Sequence, residues 1–275
     1  MKNIYITDLD HTFLRSDLSI SDYTQKIWNM HAKHSIMGIA TARTYKKTVE
    51  FLQGIELHAP MILLDGALIA TVDKKIIDTK FIGKDAADTI IEVGAKLGIY
   101  PFILSLVGNE LSEAMRYSAT LNSYQSEIIK RYANDDHTSQ HKDLRAMDQN
   151  FKIVYMADEA ILVELEKNVK ALFGDSLKYI LAPEAYMGCY FLTILHKDAD
   201  KAHGIKSVSE AAGFDLDKLT VFGDNYNDIG MFELANRAVA VANAQEAVKE
   251  RADIVLQRSN DEDGVAHYLE GLKNG

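Results

Sequence analysis

The run Asp8-Leu9-Asp10-His11-Thr12 follows directly on an apolar stretch, Ile4-Tyr5-Ile6, near the amino terminus. Two carboxylates one residue apart suit nucleophilic attack, acid–base work or capture of a hard cation. A polar loop without chemistry would use the same letters. A calcium loop is excluded, because its sixth position needs glycine for a sharp turn and here holds Phe13. A second acidic cluster, Gly223-Asp224-Asn225-Tyr226-Asn227-Asp228, follows the apolar run Leu219 to Phe222. Its density of carboxylate and amide oxygens fits a hard-cation site and, taken alone, equally fits a turn. Between the clusters lie Thr41-Ala42-Arg43, and Lys201 with Gly204. A single threonine or lysine carries little information; the order and setting of all four groups carry the case.

Those groups need elements to position them. Ile4 to Ile6, Ser35 to Ala40 and Met61 to Leu64 read as short buried strands, and Ile27, Trp28, Met30 and His31 fall on one face of a helix. The rhythm returns late, with strands at Leu219 to Phe222, Ala238 to Val241 and Asp253 to Leu256, and helices from about Asn227, Ala244 and Asp261. Strands alternating with helices predict an α/β fold with a doubly wound parallel sheet, whose ligands bind beyond the carboxyl ends of the strands. Asp8, Thr41 and Asp224 each stand at such an end.

The middle differs. A helix (Asp85 to Leu97), strands near Tyr100 to Leu106, a polar helix about Asn122 to Tyr132 and a charged, exposed loop from Asn134 to Asp148 are expected. A strand (Phe151 to Met156), a helix (Asp158 to Phe173) and two strands (Leu177 to Leu181, Tyr190 to Leu195) follow. This predicts an inserted α/β module with its own antiparallel sheet, residues 83–197, within a core of residues 1–82 and 198–275.

Composition narrows the function. Of 275 residues, 47% are hydrophobic and 25% charged, as in an ordinary globular protein with ample core material. The formal charge of −10 argues against nucleic acid or an anionic membrane as partner, and an acidic protein handling an anionic substrate needs local cations. The single cysteine, Cys189, has no partner for a disulfide or a zinc site, and together with an early acid at Asp8 and short apolar runs this predicts a cytoplasmic protein with no signal peptide and no membrane span. His31 with His34, and His137 with His141, have metal-like spacing but no third ligand, so they read as solvent-facing.

The ordered set resembles the haloacid dehalogenase superfamily: a carboxylate pair after the first strand, a hydroxyl after the second, a lysine opening a later helix, then Gly-Asp-x-x-Asn-Asp. More narrowly it is similar to the Cof-type sugar-phosphatase branch (class IIB), which carries a large α/β cap between the second and third motifs. Asp65-Gly66-Ala67 is similar to an Asn-Gly-Ala turn of that branch, and Asn243-Ala244, Lys249, Ala252-Asp253 and Asp263-Gly264-Val265 match its tail. The resemblance implies a Mg²⁺-dependent phosphatase of small phosphorylated metabolites. Asp8 would be the nucleophile, forming an aspartyl-phosphate, and Asp10 the general acid and base. Mg²⁺ would be held by Asp8, Asp224 and the main-chain carbonyl of Asp10, with Asp228 in support. Thr41, Ala42, Lys201 and Asn227 would hold the phosphoryl group, and the cap would close over the core and read the leaving group.

Two positions depart from the family pattern. His11 and Ala42 stand where glycine is usual, which narrows the pocket at His11 and makes a left-handed backbone costly at Ala42. His11, Arg43 and Tyr186, the last in a loop with Met187 and Cys189, are the candidates for contact with the leaving group. The same motifs would serve a phosphotransferase or mutase, and a metal-binding regulatory protein of low turnover is the reading from another class.

Overall fold

The computed structural model describes residues 2–108, 111–131, 137–183 and 187–272. From the amino terminus the elements are β1 (Ile4–Thr7), α1 (Asp22–Ala32), β2 (Ile36–Ile39), α2 (Tyr45–Phe51), β3 (Met61–Leu63), β4 (Leu68–Ala70) and β5 (Ile76–Thr79). The middle holds β6 (Ile82–Gly83), α3 (Lys84–Lys96), β7 (Phe102–Leu106), β8 (Glu113–Ser118), α4 (Ser123–Arg131), β9 (Thr138–His141), β10 (Gln149–Ala157), α5 (Glu159–Phe173), β11 (Leu177–Pro183) and β12 (Tyr190–His196). The chain ends with α6 (Lys201–Ala212), β13 (Leu219–Gly223), α7 (Ile229–Leu234), β14 (Arg237–Ala240), α8 (Glu246–Lys249), β15 (Ile254–Val255) and α9 (Gly264–Gly271).

Two compact units result: residues 1–79 with 200–275, and residues 80–199. In the first, five parallel strands run in the order β15-β14-β13-β1-β2. Every residue of β1 and β13 is buried, which is why both read as unbroken apolar runs rather than alternating ones. Helix α1 starts where the Ser21 hydroxyl accepts the Thr24 N–H, and it buries Ile27, Trp28 and His31. Trp28 packs on Phe13, with ring centroids 4.7 Å apart, and its indole N–H donates to the Glu56 carbonyl. Met30 stays exposed, one residue off the buried stripe. His31 corrects a sequence expectation: it is buried against Tyr5 rather than facing water, and burial lowers its pKa.

The strand expected at Met61 to Leu64 joins the parallel sheet only through a bridge between Ala40 and Ile62. It forms instead an antiparallel sheet with β4 and β5, a hairpin the sequence reading passed over.

The second unit is a seven-stranded sheet in the order β11-β12-β10-β7-β8-β9, with β6 paired to β10. That pairing is why residues 82–83 belong to this unit. One hydrophobic core joins Ala87, Ile90 and Ile91 of α3 with Leu162, Leu165 and Val169 of α5 against β10 and β12, while α4 packs in another around Phe102 and Met156. Tyr155 is buried in the first, its hydroxyl donating to the Ile90 carbonyl, and Tyr117 and Tyr124 pack in the second. Cys189 is buried there too. Strand β9 falls inside the segment expected to be a loop: Thr138 to His141 pair parallel with β8, and such a polar tetrapeptide at the edge of a sheet carries no hydrophobic signal. No helix among the described residues is long and apolar enough to cross a membrane.

Candidate active site

The strand ends deliver the site. Asp8 follows β1 in extended backbone, and its N–H donates to the Phe222 carbonyl of β13 at 2.9 Å, locking the two strand ends together. Leu9 is fully buried and anchors the turn. The chain then turns at His11, whose φ is +56°. Of the two positions where glycine is usual, the left-handed residue is His11, whereas Ala42 has ordinary backbone. Histidine tolerates that region better than most side chains, at a cost of about 1 kcal/mol. The Asn243 side-chain amide donates to the His11 carbonyl at 2.7 Å and fixes the turn. Beyond it, the buried Thr12 hydroxyl donates to Asp224 Oδ1 at 3.0 Å.

Asp224 follows β13 through Gly223. A side chain at Gly223 would press within 2.5 Å of Asp228 Oδ2, so glycine is what lets this turn close. Asp228 is fully buried; its Oδ2 accepts the N–H groups of Asp224 (2.9 Å) and Asn225 (3.0 Å), and its Oδ1 accepts from Lys201.

Lys201 is the first residue of α6, whose N-cap Asp200 accepts the His203 N–H. Lys201, Gly204, Ile205 and Val208 form the buried stripe of that helix, which draws the lysine into the core. Its ammonium is 1% exposed as a residue and lies 2.6 Å from both Asp8 Oδ1 and Asp228 Oδ1. Burial opposes that charge, but Asp228, Asp8 and Asp65 outweigh burial and raise the lysine pKa.

Asp8, Asp224 and Asp228 present carboxylate oxygens within 4.8 Å of one another. Burial, reinforced by Asp228 and Asp224 and opposed by Lys201, raises the Asp8 pKa well above the usual carboxylate range. Burial and Asp228 push Asp224 up to about 7. The physical reason is a charge imbalance: one ammonium faces three carboxylates in a dry site. An all-oxygen donor set with surplus negative charge fits a hard divalent cation, which would let every carboxylate ionise.

The other expected residues fall as follows. Asp10 turns its carboxylate to Arg43: Nε donates to Oδ2 at 2.7 Å and Nη2 to Oδ1. Thr41 is buried, and its hydroxyl accepts the Arg43 N–H; Ala42 lies between them on the turn from β2 to α2. Asn227 donates to Asp65 Oδ1 at 3.0 Å. Tyr186 lies outside the described residues, as does Tyr132. Thr12, Asp65 and Asn243 were given no role by the sequence reading, although all three stand within or beside its motifs; what they touch is set by residues far away in the chain.

The comparisons agree with this geometry. The family described as haloacid dehalogenase-like hydrolase matches residues 5–269. A 5-amino-6-(5-phospho-D-ribitylamino)uracil phosphatase of Bacillus subtilis is 24% identical over 95% of this chain and 94% of its own. Among solved structures, TM0651 of Thermotoga maritima superposes with a TM-score of 0.81 at 25% identity, over 100% of this chain and 99% of that one. The subclass IIB sugar phosphatase BT4131 shares the fold at a TM-score of 0.75 and 22% identity, over 98% of both chains. The turn that bears Asp8, the paired strand ends and the buried lysine thus sit in a matched whole-chain frame: the chain belongs to the haloacid dehalogenase-like hydrolase family, as a Cof-like phosphoric monoester hydrolase.

Proposed function

We propose that this chain hydrolyses a small phosphorylated metabolite, a sugar phosphate or a comparable phosphomonoester, through an aspartyl-phosphate on Asp8 with Mg²⁺ as cofactor. The observation that carries the reading is the convergence of the Asp8, Asp224 and Asp228 carboxylates from opposite ends of the chain, with Asp8 and Asp228 paired to one buried lysine. The side chains of Asp8 and Asp224 and the main-chain carbonyl of Asp10 would hold Mg²⁺, and Asp228, with both oxygens already engaged, supports them. Bound there, the ion supplies charge neutralisation: a carboxylate and a phosphate ~4 Å apart repel by about 4 kcal/mol at an effective dielectric of ~20.

The chain's own residues divide the rest of the work. The Asp8 carboxylate attacks phosphorus; the bond to the leaving oxygen breaks, and Asp10 gives that oxygen a proton. Water then attacks the same phosphorus and passes its proton to Asp10, and the bond between phosphorus and the Asp8 oxygen breaks to release orthophosphate. The Thr41 hydroxyl, the adjacent main-chain N–H groups including that of Ala42, and the Lys201 ammonium orient the phosphoryl oxygens, which is positioning plus electrostatics. Asn227, tied to Asp65, lies beside the same lysine environment, and the exposed His11 is available to a leaving group.

The test is phosphate release from a panel of phosphorylated metabolites. Wild type with Mg²⁺ should turn over at least one of them, chelation by EDTA should abolish release, and Asp8→Asn should lower it by at least about 10³-fold. Equal release by wild type and Asp8→Asn would overturn the reading.

A further inference from the structure

Arg43 makes contacts that the reading above does not use. Its guanidinium grips both oxygens of Asp10, Nε on Oδ2 at 2.7 Å and Nη2 on Oδ1. The other side of the guanidinium is backed by the ring of Phe51, with Cζ 4.4 Å from the ring centroid. The main chain of Arg43 is also tied: its N–H donates to the Thr41 hydroxyl at 3.2 Å, and its carbonyl accepts the Leu64 N–H at 3.1 Å. A planar fork held by an aromatic face on one side and by the turn at its root has little freedom, and lysine could not reproduce it. Asp10 is itself less confined: its side chain is 35% exposed, and it precedes the left-handed turn at His11.

We infer that Arg43, backed by Phe51, is a positioning residue that acts through Asp10, holding its carboxylate in one orientation, and is not itself a contact for the leaving group. The inference rests on the proposed role of Asp10 as proton donor and acceptor. It deepens that role in one half of the reaction. A bidentate guanidinium pairs with the ionised carboxylate, the form that must accept a proton from the attacking water in the second step. An unheld Asp10 would sample several rotamers, and the water step would slow. The phosphoenzyme on Asp8 would then accumulate.

The experiment uses p-nitrophenyl phosphate with Mg²⁺, because nitrophenolate leaves without protonation and separates the two steps. Arg43→Ala should release about one equivalent of nitrophenolate per enzyme in a burst at close to the wild-type rate. Steady turnover should then fall about 10–100-fold, the range of a lost partner of an active-site group, and KM should fall in the same proportion, because the first step that sets kcat/KM is untouched. Millimolar guanidinium should restore part of that turnover, Arg43→Lys should recover little, and Phe51→Leu should show the same burst with a smaller loss. The decisive comparison is the double variant: Arg43→Ala combined with Asp10→Asn should be no slower than Asp10→Asn alone, within about twofold. Losses that multiply, or a raised KM with unchanged turnover, would mean that Arg43 binds substrate directly and would overturn the inference.

Asp8→Asn, added to Arg43→Ala, separates this failure from failure of the larger reading. If it keeps the burst, the aspartyl-phosphate reading falls whatever Arg43 does; if it loses the burst while Arg43 and Asp10 act independently, only the present inference falls. A measurement without turnover covers variants that fold poorly. In the wild-type protein the Arg43 Nε–H signal in ¹⁵N NMR should be resolved and slow to exchange with water, and Asp10→Asn should collapse it into the exposed arginine envelope. An unchanged signal would overturn the inference.

Discussion

Asp224 and His11 show how single residues carry this site's energetics. With its pKa pushed up to about 7 by burial and Asp228, Asp224 binds a proton in the folded metal-free protein that the unfolded chain, titrating near 4, releases. The folded state thus holds more protons between these values, so this group's contribution to stability is full below about pH 4 and is lost as pH rises through 7. Thermal melts in EDTA from pH 4.5 to 8 should show Tm falling with pH, and Asp224→Asn should flatten the slope. A Tm that climbs across the window would refute the assignment. At His11, the φ of +56° is a strain that glycine would not carry. His11→Gly should leave stability unchanged or raise it by up to about 1 kcal/mol, read from urea midpoints.

At the scale of elements, the tail motif turns out to brace the front of the molecule. Asp263 accepts from Arg15 Nε (3.2 Å) and Nη2 (2.7 Å), from Ser21 (2.8 Å) and from Thr24 (3.0 Å), so the start of α9 clamps the start of α1 and the chain leading into it. Burial works against this carboxylate, but the bonds from Arg15, Ser21 and Thr24 prevail and hold its pKa below the ordinary range. Its stabilisation is present above the ordinary carboxylate pKa and is lost as pH falls through the lower, folded value. Asp263→Asn should cost about 2–3 kcal/mol in denaturant unfolding near pH 7 and lose much less at acid pH, where the native carboxylate is itself protonated. Asn260 extends the clamp: its side-chain amide donates to the Leu14 carbonyl, and its N–H donates to Asn243, which also fixes the His11 turn. The tail therefore shapes the loop after β1.

For the whole molecule, the division into two units separates ligand linkage from the rest of the fold. Every carboxylate of the buried cluster belongs to residues 1–79 and 200–275, while residues 80–199 have their own sheet and cores. A cation that binds only the folded site stabilises by RT ln(1 + [L]/Kd), about 2.7 kcal/mol at a hundredfold excess over Kd. Hydrogen exchange with saturating Mg²⁺ should slow amides of β1 and β13 and leave those of β10 and β12 unchanged. Equal slowing in both units would show that the metal is not confined to the buried cluster.

The sequence by itself determined the parts whose cause is local. Unbroken apolar runs give the central strands, a 3.6-residue stripe gives α1, and carboxylates directly after two such runs must stand at strand ends. It did not determine partners that a long loop or a distant strand delivers. Asp10 meets Arg43, Asn227 meets Asp65, His31 is buried against Tyr5, and the left-handed turn falls at His11 rather than Ala42, all because of contacts between residues remote in the chain. Polar β9 had no periodicity to announce it and exists only because β8 offers an edge. Periodicity and turn chemistry act within a few residues, whereas burial and charge pairing are decided by what the packed chain brings alongside.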